Sequence, residues 1–149
     1  MKEFEFYHGI VFAKMLHSHQ NEIVIKSYPS SDNASYAINN KIGIYIKYCT
    51  KRLSPWSFSF NKRHKDELTV LAGIVGEVFL LLVCDDDGIV VLSAEDFNQI
   101  ISSIDLDWIR VTRRKGEMYA ISGSGGRLPF KVGKSDFPGK IFHNQEKNR

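Results

Sequence analysis

Two residues carry the chemistry that shapes a first reading of this chain. Lys47 ends the run Ile44-Tyr45-Ile46-Lys47, and Asp32 lies earlier, in Ser30-Ser31-Asp32-Asn33. A lysine amine held on a strand can stabilise negative charge on a phosphodiester, and a carboxylate beside it can hold a divalent ion or orient water. Around Lys47 the sequence has a period of two. Ile42, Ile44, Ile46 and Tyr48 alternate with Gly43, Tyr45, Lys47 and Cys49, so the two sets leave a strand on opposite faces. The isoleucine side reads as the core face, which puts Tyr45 and Lys47 together on the opposite, more open face. The competing reading of Lys47 is a solvated strand lysine that discourages edge pairing.

Bases and aromatics follow directly. Lys51, Arg52 and Trp56 come first, then Lys62, Arg63, His64 and Lys65. Clustered Lys and Arg suit phosphates, and exposed rings stack on bases. Trp56, Phe58 and Phe60 alternate with Ser57 and Ser59. That alternation assigns Phe58 and Phe60 to the core and leaves Trp56 as a stacking candidate. A third basic group comprises Arg113, Arg114 and Lys115 at a hairpin tip, with Arg127 and Lys131 after the glycine-rich run Ser122–Gly126. That run lacks the Lys-Ser/Thr ending of a nucleotide-phosphate loop. Asp85, Asp86 and Asp87 read as turn residues and lack the spacing of a calcium loop. The five histidines are scattered and give no zinc-ligand spacing.

These residues need elements to hold them. Residues 4–17 place apolar side chains at helical spacing, against Gly9. Residues 21–29 read as a strand that stops at Pro29. Asn39-Asn40 tolerates the left-handed backbone of a tight hairpin turn. Residues 61–73 read as a helix stopped by Gly73 and Gly76. Residues 77–93 read as two apolar strands about Asp87-Gly88, followed by a helix capped by Ser93 with Asp96 three residues on. A last pair of strands turns at Lys115-Gly116. The basic tail packs through Phe130, Phe137 and Ile141. The domain is expected to span residues 1–142, with 143–149 frayed.

The chain has 149 residues, 25% of them charged and 43% apolar. That is one domain's length with enough apolar matter for a core. No apolar run is long enough to span a bilayer, the N-terminus is unlike a signal peptide, and Cys49 and Cys84 sit in strands as thiols of a reducing cytoplasm. The net charge of +3 is unevenly spread: residues 77–107 carry eight acids and no Lys or Arg, whereas residues 108–149 carry ten bases and three acids. Such segregation suits an anionic partner, or a self-complementary homodimer.

The order strand, loop with Asp32, hairpin, Ile44-Tyr45-Ile46-Lys47, Trp/Phe strand, helix, apolar hairpin and helix resembles the core of the restriction-endonuclease-like superfamily, over residues 4 to 101. The resemblance implies that Asp32 is the first, metal-binding acid and Lys47 the catalytic lysine. It also implies Mg2+-dependent phosphodiester hydrolysis if the site is active, and a role in nucleic-acid processing or defence, with DNA ahead of RNA. Tyr45 departs from the pattern, since it stands where the triplet acid belongs and stays neutral near pH 7. Either another acid moves in (Glu3, Glu5 or Glu22), or the site is degenerate and binding alone remains. The expectation is therefore an α+β domain with a mixed, mainly antiparallel sheet and about three helices. Its alternative role is a protein–protein interaction module or subunit of a larger complex.

Overall fold

The strand that carries Lys47 is covered on both faces, and the fold is organised around it. The computed structural model describes residues 1–19, 21–102 and 105–147. In chain order the elements are α1 (Glu3–Ser18), β1 (Ile25–Tyr28), a 3-10 turn (Ser31–Asn33), β2 (Ser35–Ile38), β3 (Ile42–Cys49), β4 (Trp56–Phe60), α2 (Lys62–Val75), β5 (Glu77–Cys84), β6 (Gly88–Ser93), α3 (Ala94–Ile100), β7 (Asp107–Thr112), β8 (Ala120–Gly123), β9 (Gly126–Arg127) and α4 (Asp136–Lys147).

The strands form two sheets, of order β1-β2-β3-β5-β6 and β4-β7-β8-β9. Among the described residues only β3 and β5 pair in parallel; the other ladders are antiparallel. A parallel pair needs a long crossover, and here β4 and α2 supply it. The single mixed sheet expected from the sequence is thus divided in two. The alternation of β4 is satisfied by pairing with β7, Trp56 against Val111 and Phe60 against Asp107.

Local signals explain the element ends. Asn39 and Asn40 both have left-handed backbones, φ 53° and 57°, which is what a two-residue hairpin turn between twisted strands demands. Gly76, at φ 91°, ends α2 and donates its N–H to Ala72 O at 2.8 Å. At the start of α3 the Ser93 hydroxyl accepts from the Asp96 N–H, while the Asp96 carboxylate accepts from the Ser93 N–H. At the start of α2, Asn61 accepts from the His64 N–H and donates its own N–H to His64 Nδ1. Histidine here takes the place that Glu or Gln holds in the usual capping box.

Two apolar cores result. Between the sheets lie Tyr45, Phe58, Phe60, Leu80, Leu82 and Ile109, with α3 contributing Phe97 and Ile100. On the far side of the first sheet, Ile42, Ile44, Ile46 and Leu81 pack under α1 through Val11 and Met15, and under α4 through Phe137 and Ile141. The expectation of an open face beside the isoleucines is therefore corrected. Tyr45 is fully buried, and a Cβ on Gly43 would stand 2.8 Å from Leu71 Cγ, because α2 lies directly on that face. The helices number four among the described residues, one more than expected, since α4 extends the tail to Lys147. Residues 143–147, expected to fray, form its last turns; 148 and 149 lie outside the described residues. Phe130 is exposed, unlike Phe137 and Ile141. No helix among the described residues is long and apolar enough to cross a membrane.

Two carboxylates, one half-buried and one buried, tie the layers together. Asp87, in the β5–β6 turn, accepts from Arg113 Nε at 2.9 Å and Nη2 at 2.6 Å, and from the Tyr119 hydroxyl at 2.7 Å. It is a turn residue, as expected, and also the bolt between the sheets. Asp107 accepts from Lys65 Nζ at 2.6 Å, from the Ser102 N–H and hydroxyl at 2.8 Å each, and from the Ser124 hydroxyl. That cluster fastens α2 to the second sheet.

Candidate functional site

Lys47 leaves β3 on the side facing β4 and α2. Its ammonium donates to Ser59 O at 2.7 Å, lies 3.5 Å from His64 Nδ1 and stands 5.0 Å from the centroid of the Phe60 ring. His64 Nδ1 also accepts the Asn61 N–H at 3.2 Å. The hydrogen-bond pattern therefore assigns its proton to Nε2, and Nε2 faces Asp32 Oδ2 at 4.0 Å. Asp32 reaches this position because the 3-10 turn, with φ 57° at Asp32 and 56° at Asn33, lies beside β3 where β2 has ended. The Ile46 N–H donates to Ala34 O there at 3.0 Å. Lys47, His64 and Asp32 thus form one chain from a half-buried amine to an exposed carboxylate.

Tyr45, in the place of the triplet acid, donates its hydroxyl to Glu67 Oε1 at 3.2 Å, and Glu67 Oε2 accepts the Ser31 N–H. The carboxylate brought to the site comes from α2. Of the expected donors, Glu5 instead caps α1 through the Lys2 N–H, Glu3 lies by Tyr7 and Tyr48, and Glu22 is exposed.

Burial sets the electrostatics. It pushes the Lys47 ammonium below its ordinary pKa, with Asp32 and Glu67 partly opposing. It also lowers His64, helped by the Lys47 charge, so the ring is neutral near pH 7. Burial and the Glu67 carboxylate push Tyr45 up.

A magnesium ion asks for near-octahedral oxygens, with one or two carboxylates and several waters. Asp32 offers a carboxylate, but both oxygens of Glu67 are engaged by Tyr45 and Ser31. Among the described residues no group of three or more His, Cys, Asp or Glu side chains could hold a metal ion. These residues do not fit the ion that the resemblance implies, and Asp32 lacks the companions a metal ligand needs. Neither a known protein family, a curated protein nor a solved structure matches this chain.

The basic residues fall into two places. The Arg113 N–H donates to Ser54 Oγ at 3.1 Å, so the loop bearing Lys51 and Arg52 docks beside the β7–β8 turn with Arg114 and Lys115. Lys131 joins that end through Glu117 at 3.7 Å. Arg113 itself is spent on Asp87, whose pKa it lowers by hydrogen bonding. Arg127 lies elsewhere, on β9, opposite Ser122. Trp56 is corrected from a stacking ring to a core residue: it is 2% exposed, and its Nε1–H donates to Lys51 O at 2.8 Å. The exposed tryptophan is Trp108, at 43%. The alternation Asp107-Trp108-Ile109-Arg110-Val111 could have located it, since Ile109 and Val111 must face inward.

Proposed function

We propose that this chain is a nucleic-acid-binding protein with a restriction-endonuclease-like core, whose catalytic site has degenerated into a phosphate-binding one. The observation that carries the reading is the convergence of Asp32 and Lys47, from separate elements, on His64. The element order supports it too. A loop with Asp32, the β2–β3 hairpin, β4, α2, the β5–β6 hairpin and α3 follow one another as the resemblance requires.

An ammonium has three donors. In Lys47, Ser59 O and His64 Nδ1 face two of them, and the third serves a phosphate oxygen. Lys51, Arg52, Arg114 and Lys115 add charge along a strand of DNA. Tyrosine at position 45 and the engaged Glu67 leave no place for the metal, so the protein binds DNA and does not cut it. Its role is that of an accessory factor in nucleic-acid processing or defence.

The test is binding of labelled duplex DNA across a salt series. A counterion-release mechanism gives a steep, log-linear loss of affinity with salt, and Lys47→Gln weakens binding by roughly tenfold, as loss of a charged hydrogen bond does. Duplex affinity unchanged in Lys47→Gln, with thermal unfolding showing an intact fold, refutes the assignment of Lys47. Cleavage of DNA on addition of Mg2+ or Mn2+ refutes the degeneracy.

A further inference from the structure

The second sheet has one face against the core and one face that is open among the described residues. Directly opposed residues in an antiparallel sheet share a face. Ser57 opposes Arg110, Arg110 opposes Ser122, and Ser122 opposes Arg127, making one row across all four strands. The next position along β7 is Trp108, opposite Ser59. Inward positions such as Trp56, Val111 and Ile121 are buried, so the row and Trp108 lie on the outer face. The Arg110 guanidinium stands 5.4 Å from the centroid of the Trp108 ring. None of the outward strand positions on this face is acidic.

We propose that this face is a stacking platform for single-stranded nucleic acid, with a base on Trp108 and phosphates on Arg110 and Arg127. The choice of occupant rests on the nucleic-acid reading above; the site itself does not depend on Lys47. Three observations favour that occupant. The face carries an indole that is 43% exposed, and stacking on a base is sequence-tolerant because every base has a π-face. The charged residues of the row, Arg110 and Arg127, are both positive, which complements a phosphate backbone. Its remaining outward side chains in the row and beside the indole, Ser57, Ser59 and Ser122, are short, so a flat base can approach the sheet. Arg127 lies two strands from Arg110, about 10 Å away across the sheet, far enough to engage a different phosphate. Duplex DNA keeps its bases stacked inside and cannot use the indole in this way, so the platform separates single strands from duplex.

The chain's two tryptophans make the experiment direct. Trp56 is buried and serves as an internal reference, while Trp108 reports. Titrating the full chain with oligo-dT and oligo-U of twelve nucleotides at low salt is expected to quench the Trp108 emission. Trp108→Ala loses affinity for these strands by on the order of tenfold, Trp108→Phe loses less, and Arg110→Gln with Arg127→Gln flattens the salt dependence. Because these side chains are exposed, the variants keep the wild-type unfolding temperature. Duplex DNA binding stays unchanged in Trp108→Ala and falls in Lys47→Gln, so the two sites fail or survive separately. Quenching by oligo-dT that Lys47→Gln leaves intact upholds the platform even where duplex binding is absent. Single-strand affinity equal in wild type and Trp108→Ala overturns it, as does absence of any single-strand binding at low salt. A wild-type dimer in light scattering that Trp108→Ala converts to monomer overturns it in favour of a second copy on this face.

Discussion

Replacing Asp107, a fully buried charge, should destabilise this protein strongly, and the structure sets the size. The Asp107 side chain is 0% exposed and Lys65, its partner, is 18% exposed. Removing one member of a buried pair costs about 3–5 kcal/mol, because the other groups lose their acceptor. In Asp107→Ala the Lys65 ammonium, the Ser102 N–H and hydroxyl, and the Ser124 hydroxyl each lose this acceptor. Lys65 retains some access to water, so the lower part of that range is expected for its share. At about 2–4 °C per kcal/mol for a chain of this size, the unfolding temperature falls by roughly 6–20 °C. Burial raises the Asp107 pKa, but the hydrogen bonds from Lys65, Ser124 and Ser102 outweigh it and hold the carboxyl well below its ordinary range. A carboxylate with a depressed folded pKa contributes stability that is present above its unfolded value of about 3.9 and is lost as the pH falls towards the folded value. The difference between wild type and Asp107→Asn should therefore be full at pH 7 and shrink in acid. Urea unfolding at pH 7 and in a series below pH 4 measures both. A wild-type-like midpoint for Asp107→Asn at pH 7 refutes the reasoning. Lys65→Met should cost less, since the carboxylate keeps its serine donors, and a double-mutant cycle isolates the coupling.

Two other outcomes follow from the packing. His8 is 3% exposed with Nδ1 2.8 Å from the Tyr36 hydroxyl, and burial lowers its pKa to about 4 against a weak opposing pull from Asp32. The unfolded chain then takes up a proton near pH 6.5 that the folded chain refuses, so stability declines as the pH falls from about 6.5 to about 4. An imidazole titration by NMR with its midpoint above pH 6 contradicts this. Gly43→Ala puts a Cβ 2.8 Å from Leu71 Cγ and 2.9 Å from Val75 Cγ2. It should cost about 1–3 kcal/mol by overpacking, and an unchanged urea midpoint would show that α2 shifts freely over β3.

The sequence announced those elements whose cause is local. The Asn39-Asn40 turn, the Ser93 and Asp96 cap and the β5–β6 hairpin all follow from residues within a few positions of one another, and the structure has them, with the hairpin turn shifted from Asp87-Gly88 to residues 85–87 because Gly88 already pairs with Cys84. What it could not announce is which strand pairs with which. The Trp56-Phe58-Phe60 alternation is the same whether β4 lies beside β3 or beside β7, so the division into two sheets is silent in it. The covering of Tyr45 by α2 is likewise a product of the crossover, although Gly43, with no side chain to place there, was a trace of it. At the site, Asp32 and Lys47 were legible as types and the fold brings them to His64. Glu67 was not, because a helix residue reaches β3 only once the parallel pair has formed. Trp108 is legible in the period of β7, where Ile109 and Val111 face inward and the indole outward.

The division into two sheets bears on how the chain is made. Strand β4 leaves the ribosome after β3 but belongs to a sheet whose next member, β7, begins at Asp107. The ladder of the first sheet and its contact with α2 can form once Ser93 is made, while the Trp56, Phe58 and Phe60 ridge must wait for the strand partner still to come. Nascent chains that stall between Phe60 and Asp107 would therefore be the sticky ones, the species a chaperone has most reason to hold.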